Sequence, residues 1–307
     1  YSILYMGEGY DATLEAAVNG WSTSVFDDSE WQKAVTVPID GSAFYGTIEE
    51  MGHKSELNYD HMQLVGQIRN NAGVYEILTA KSMKEVRPGV YVYDMGQNFV
   101  GVPRIAIHNG QTGRKITLRY AEILYPNLPE SKGNVGMLMM ENYRAALCQD
   151  IYVEKEGEQT IQPHFTFRGY QYIEITGIDK PLPLEDVKGV AISSVRNLTA
   201  SYETSNQKVN RLWKNLTWSN IDNFLTIPTD CPQRNERMGW SGDISVFSPT
   251  ATYLSNSDQF MTRHLQSMRD VQDASGRFTD IAPIGGGFGG ILWGSAGITI
   301  PWETYQQ

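Results

Sequence analysis

Hydrophobic and polar positions alternate through roughly the first two thirds of this chain and change period in the last third. VYVYDMG (90–96), RIAIH (104–108) and KITLRYAEIL (115–124) repeat every second residue, and NGQTG separates the last two runs as a turn-rich loop. IYVEKEGEQTIQPHFTF predicts a hairpin with Gly157 at its tip, and YQYIEITG (170–177) and VAISSV (190–195) extend the pattern. Near the start, Trp21 and Trp31 flank an FDDS turn, which predicts a strand–turn–strand corner. Short strands joined by Gly, Asn and Pro turns predict an antiparallel β-sandwich.

After about residue 203 the spacing becomes helical. Val209, Leu212, Trp213, Leu216, Asn220 and Phe224 form one stripe, and Ile244, Phe247, Ala251 and Leu254 form a second. Phe260, Met261, His264, Leu265, Met268 and Val271 form a third, stopped near Gly276. His264 on that apolar stripe reads as a satisfied core histidine. Helices that follow strands in a block, without alternating with them, predict separate β and α domains. GGGFGG (285–290) is a loop by composition, either a connector or the border of a site.

Composition narrows the function. The 307 residues suffice for two or three domains. The net charge of −10 argues against nucleic-acid binding and against docking on anionic membranes. No apolar run approaches the roughly 18 residues of a membrane span. Cys148 and Cys231 form no CxxC pair, and His53, His61, His108, His164 and His264 are scattered without ligand spacing, so no metal site and no cofactor is expected. Seven Trp and seventeen Tyr suit a protein that stacks sugar faces on rings, although an aromatic-rich β domain needs no ligand. The chain opens on YSILYMGEGYD without an initiator Met and stops in PWETYQQ, which reads as helix, so an internal piece of a longer protein is expected.

The densest chemistry lies in TDCPQRNERMGWSGD (229–243), where Asp230, Arg234, Glu236, Arg237 and Asp243 crowd around Trp240. A solvated loop would omit the Trp, and a packed core would omit the charges. Carboxylates and guanidiniums held beside an aromatic ring suit a pocket for a polar, uncharged ligand such as a sugar.

DCPQRNERMGWSGD resembles the DCPQRDERxGWxGD signature of the bacterial α-L-rhamnosidases of glycoside hydrolase family 78. GEGYDATLE with GWS and FDDSEW, YDMGQNFVG, LRYAEIL, PHFTFRGYQYIEITG and LWGSAGITIPW resemble further motifs of that family, in the same order along nearly the whole chain. The resemblance implies the tail of an N-terminal β-sandwich over 1–45 and a concanavalin-like β-sandwich over 55–198. It implies the opening helices of a truncated (α/α)6 catalytic barrel over 200–307.

It also implies an inverting enzyme that releases terminal α-L-rhamnose from plant polysaccharides or glycosides. Such an enzyme needs two carboxyl groups roughly 6.5–9.5 Å apart, one protonating the leaving oxygen and one activating water. Glu236 matches the general acid. Asp230, Arg234, Trp240, Asp243 and Trp293 match sugar-binding positions, the two indoles as walls. Structural alternatives remain for each: an ion pair with Arg237 for Glu236, helix N-caps for Asp230 and Asp243, core packing for the tryptophans. The family's general base lies well downstream, and no residue of this chain is assigned to it. Asn235 and Ser295 stand where the family usually has Asp, which puts specificity in doubt more than reaction class. Two other readings stand beside the enzyme: a carbohydrate-binding or scaffold protein that lost catalysis, and another (α/α)6 glycosidase.

Overall fold

The computed structural model describes residues 1–35, 47–50, 53–56, 63, 65–67, 71–287 and 290–306. His61 and part of the expected 1–45 segment lie outside the described residues. By contact the chain divides into two units: residues 1–37, 77–190 and 233–235, and residues 38–76, 191–232 and 236–307.

The first unit holds most of a ten-stranded sheet. Its strands are β1 (Ser2–Ile3), β2 (Gly7–Asp11), β3 (Gly73–Thr79), β4 (Ser82–Arg87) and β5 (Val90–Gly110). They continue with β6 (Lys115–Ala121), β7 (Gln149–Val153), β8 (Gly157–Ile161), β9 (Arg168–Thr176) and β10 (Val187–Ser193). The order is β1-β2-β7-β6-β9-β5-β10-β3, with β4 and β8 also paired to β5.

Four expectations change here. The sheet is mixed, because β2 runs parallel to β7, with Tyr10 opposite Tyr152. The two runs at 90–96 and 104–108 are one 21-residue strand, whose ends pair with different partners. The expected hairpin around Gly157 does not form: β7 pairs with β6, while β8 pairs with β5. A left-handed Gly157 (φ 84°) turns the chain from one neighbourhood to the other. The strand–turn–strand corner at Trp21 and Trp31 is also absent. A 3-10 helix, Ala12–Val18, leads into turns, and Phe26 packs edge-on against Trp31 with centroids 5.4 Å apart.

Tyr93, Phe99, Ile105, Ile116, Leu118, Tyr120, Tyr170 and Ile175 fill the sheet's buried face, as period-two alternation requires. A buried ion pair joins them. Arg168 is 1% exposed, and its guanidinium donates to Asp150 Oδ1 at 2.9 Å. Tyr120 donates to the other oxygen at 2.6 Å, so the buried charges are paired and hydrogen-bonded.

The second unit carries α1 (Gln207–Asn223), α2 (Ser241–Leu254), α3 (Asp258–Asp270), α4 (Ile291–Gly294) and α5 (Ala296–Gln306). The side chain of Asn206 caps α1, accepting from the backbone N–H groups of Lys208 and Val209. The second and third apolar stripes meet with Phe224 in one core that holds Ile244, Ala251, Phe260, Met261, Met268, Ala296 and Ile300. The first stripe is not the buried face of α1: Leu212 is exposed, and the helix buries Thr217, Trp218 and Ile221 instead. Phe224 and Phe260 stack at 4.5 Å with rings 11° apart. Among the described residues, no helix is long and apolar enough to cross a membrane.

Candidate active site

The acid-rich segment is a clasped loop that leads into α2. Asp230 N–H donates to the carbonyl of Met238 at 3.0 Å, and Met238 N–H returns a bond to Asp230 Oδ1 at 3.2 Å. Closing the loop puts Cys231 (φ 43°) and Arg237 (φ 57°) in the left-handed region, which costs about 1–3 kcal/mol per residue and marks a conformation imposed by its surroundings. The loop's exit is tied down by a second clasp. Ala282 N–H donates to Gly239 O at 3.0 Å, and Ser241 N–H donates to the carbonyl of the fully buried Asp280 at 2.8 Å. Gly239 is required there, since a Cβ would lie 2.2 Å from the Ala282 oxygen.

This framework brings Asp230 and Glu236 together. Carboxylate oxygens of both residues and the Cys231 sulfur lie within 4.8 Å of one another. Burial, followed by the hydrogen bond and like charge of Glu236, pushes Asp230 up to about 7. The proton belongs to the pair, one carboxyl holding it against the other. Trp240 donates its indole N–H to Glu236 Oε1 at 2.9 Å. By spacing the same trio could hold a metal ion, which the scattered histidines gave no sign of; its cue was the D-C-x4-E spacing. A shared proton also suits these donors.

A cavity of about 560 Å3 opens beside the pair, within the roughly 300–1,000 Å3 of small-molecule sites. Asp230, Cys231, Asp243, Phe247 and Trp293 are on its wall; Glu236 and Trp240 are not. Asp230 therefore joins the carboxyl pair to the cavity. Asp243 is exposed and is the third residue of α2, not its N-cap; the N-cap is Trp240, which makes no side-chain cap bond. Nor does Asp230 cap a helix. Trp293 lies directly on Gly242, where a Cβ would sit 2.7 Å from the indole.

Residues 233–235 belong by contact to the sheet unit, where the charge of Arg234 bears on Glu122. Of the predicted residues, Asp230, Glu236, Trp240, Asp243 and Trp293 stand in the helical unit and Arg234 in the sheet unit. Ser295 ends α4, and its hydroxyl donates to Leu292 O at 3.2 Å. Asn235 Oδ1 accepts from Ala145 N–H at 3.3 Å, a bond an Asp oxygen could equally accept.

His264 is buried as expected but is not satisfied: among the described residues neither ring nitrogen has a hydrogen-bond partner. Burial and the charge of Arg263 lower it to about 4, so it is neutral near pH 7. Its Cε1 lies 3.3 Å from where a Gly239 Cβ would be, under the exit of the acid loop.

Comparison with known proteins follows the same division. The family model described as the bacterial alpha-L-rhamnosidase concanavalin-like domain matches residues 84–193. The one described as the bacterial alpha-L-rhamnosidase 6 hairpin glycosidase domain matches residues 197–307. An alpha-L-rhamnosidase of Streptomyces avermitilis is 38% identical over 306 residues, covering 99% of this chain and 27% of its own length. One from Formosa agariphila is 32% identical over 311 residues, covering 100% and 30%. Among solved structures, the Streptomyces avermitilis alpha-L-rhamnosidase complexed with L-rhamnose has a TM-score of 0.84 at 36% identity, covering 99% of this chain and 27% of that one. The native alpha-L-rhamnosidase of Aspergillus terreus has a TM-score of 0.81 at 29% identity, covering 100% and 33%.

The chain pairs a concanavalin-like domain with a six-hairpin glycosidase domain. It belongs to the bacterial α-L-rhamnosidase family, glycoside hydrolase family 78. It spans 27% and 30% of the length of the two curated relatives just described.

Proposed function

We propose that this chain carries the general-acid half of an inverting α-L-rhamnosidase that releases terminal α-L-rhamnose from glycans or glycosides. The observation that carries the reading is the Asp230–Glu236 pair, which keeps a proton up to about pH 7 beside a cavity of sugar-sized scale. Glu236 protonates the departing glycosidic oxygen. Asp230 raises the proton affinity of the pair by burial and like charge, and it reaches the cavity wall. Asp243 accepts hydrogen bonds from vicinal hydroxyls, and Arg234 donates a fork to a sugar oxygen. Trp293 offers an apolar wall to the 6-methyl group of rhamnose, and Trp240 orients Glu236 through its indole N–H.

The domain reading is part of the proposal. Residues 1–45 close a preceding β-sandwich and 55–198 form the concanavalin-like sandwich. Residues 200–307 open an (α/α)6 barrel whose later part supplies the general base. No residue here is assigned that role, so the chemistry belongs to the full-length protein.

The test is hydrolysis of an aryl α-L-rhamnoside by the full-length protein, with proton NMR of the first-formed sugar. The β anomer is expected first. An α anomer appearing first removes the inverting mechanism, and absence of rhamnose release favours the binding-protein reading.

A further inference from the structure

The glycine-rich run GGGFGG is held by one buried acid. Asp280 is fully buried, in the segment TDIAP between α3 and α4. Its main chain and its side chain are both engaged. The Asp280 carbonyl accepts from the N–H of Ser241, the first residue of α2, at 2.8 Å. Its own N–H donates to the Gly286 carbonyl at 2.9 Å, and its Oδ1 accepts from Gly290 N–H at 3.2 Å. Gly290 is the N-cap of α4, the short helix that carries Trp293. One residue therefore ties the starts of α2 and α4 to the glycine run between them. A carboxylate taken wholly out of water is costly unless hydrogen-bonded, and such bonds fix direction as well as distance.

The run is shaped to accept this hold. Gly285, Gly286 and Gly287 have φ of 84°, 102° and 91°, a left-handed course that residues with side chains rarely adopt. Gly287 lies against the acid itself, since a Cβ there would sit 2.4 Å from Asp280 Oδ2. What the hold fixes is a wall of the cavity. Trp293 rests on Gly242, the second residue of α2, and Trp293, Gly242 and Asp243 all line the cavity. α2 brings Gly242 and Asp243, α4 brings Trp293, and Asp280 bonds to the start of each. All of these residues lie in the helical unit.

We propose that Asp280 is a positioning residue that seats the Trp293 wall against α2 and so sets the fit of the cavity to its sugar. It is not on the cavity wall and touches no reacting atom. Its effect passes through the Gly290 N–H to the indole. The sugar as occupant rests on the rhamnosidase reading above; the seating of Trp293 rests on the hydrogen bonds alone.

The experiment places Asp280→Ala and Asp280→Asn in the full-length protein, alone and with Trp293→Phe. The readouts are KM and kcat on an aryl α-L-rhamnoside and the tryptophan emission. Asp280→Ala removes the acceptor. It should raise KM about tenfold with kcat changed less than about threefold, and it should shift the emission. Asp280→Asn keeps an acceptor oxygen and should restore KM to within about twofold. With Trp293→Phe in place, Asp280→Ala should change KM less than about twofold and leave the emission unmoved. Equal KM losses in both backgrounds, a fall in kcat with KM kept, or no rescue by Asp280→Asn overturns the proposal. Should Asp280→Ala not fold, Gly287→Ala crowds Oδ2 without removing it and must show the same dependence on Trp293. An unsubstituted protein that neither binds nor hydrolyses rhamnosides overturns the rhamnosidase reading. The emission shift, present with Trp293 and absent in the Trp293→Phe background, then still decides the seating, and no shift in either overturns it.

Discussion

The indole N–H of Trp240 donates to Oε1 of Glu236 across 2.9 Å, four residues along the chain and one clasp away. The bond holds the Glu236 carboxylate in direction, beside the Asp230 carboxyl whose proton affinity burial and Glu236 raise.

Replacing Glu236 by Gln should lower kcat by roughly 10²–10⁴-fold on a rhamnoside with a poor leaving group. The loss should be much smaller on an activated aryl rhamnoside, whose leaving oxygen needs little protonation. Equal losses on both substrates would assign Glu236 a structural role. Trp240→Phe keeps the ring and deletes the donor. It should cost roughly 10–100-fold in kcat/KM and move the alkaline limb of the pH profile upward.

Asp230→Asn removes the neighbouring carboxyl. The alkaline limb, expected near pH 7 from the pair, should move to lower pH, because the remaining acid no longer opposes a like charge. Stability has its own sign here. The folded-state pKa is raised from 3.8, so the folded form binds more protons than the unfolded chain between about pH 4 and 7. Stability contributed by this group therefore falls as pH rises through that window. Thermal midpoints across pH 4–7 should decline less steeply, or rise, in Asp230→Asn.

His264 acts in the opposite sense. Its folded-state pKa is lowered from 6.5 to about 4, so its contribution is fully present above pH 6.5 and is lost as pH falls toward 4. His264→Leu should flatten the acid side of the stability profile. With no partner among the described residues for either ring nitrogen, it should cost little at pH 7. An unchanged acid slope in the variant would show that His264 is not the titrating group.

Gly242→Ala is a steric probe of the cavity wall. The added methyl would meet the Trp293 indole at 2.7 Å and must displace it. A changed tryptophan emission together with a severalfold rise in KM is expected, with kcat affected less. A shift in emission without a change in KM would remove Trp293 from the sugar site.

Much of the helical unit was legible in the chain because a buried stripe must recur near 3.6 residues. Ile244, Ala251, Leu254, Phe260 and Met268 were each placed on their stripes, and each is buried, whereas Leu212 of the first stripe is exposed and α1 buries Trp218 and Ile221. The acid-rich loop was legible because charges rarely crowd a Trp without a chemical reason. Strand partners were another matter. Alternation identifies a strand and its buried face, but it carries no record of which neighbour completes the ladder. Hence β7 and β8, joined by Gly157, read as a hairpin although they pair with different strands.

What the chain by itself determined was local: periods, turns and the identity of the candidate acid, all set by residues within a few positions of each other. What only the tertiary structure decided was convergence. Asp150 is paired with Arg168, and Glu122 gathers amide donors from Asn98, Asn142 and Gln233, because segments far apart in sequence converge in the fold. The proton affinity of Asp230 likewise depends on burial and on a clasp closed by Met238. Desolvation and Coulomb interactions act through space, so their sign and strength arise only once the chain has folded.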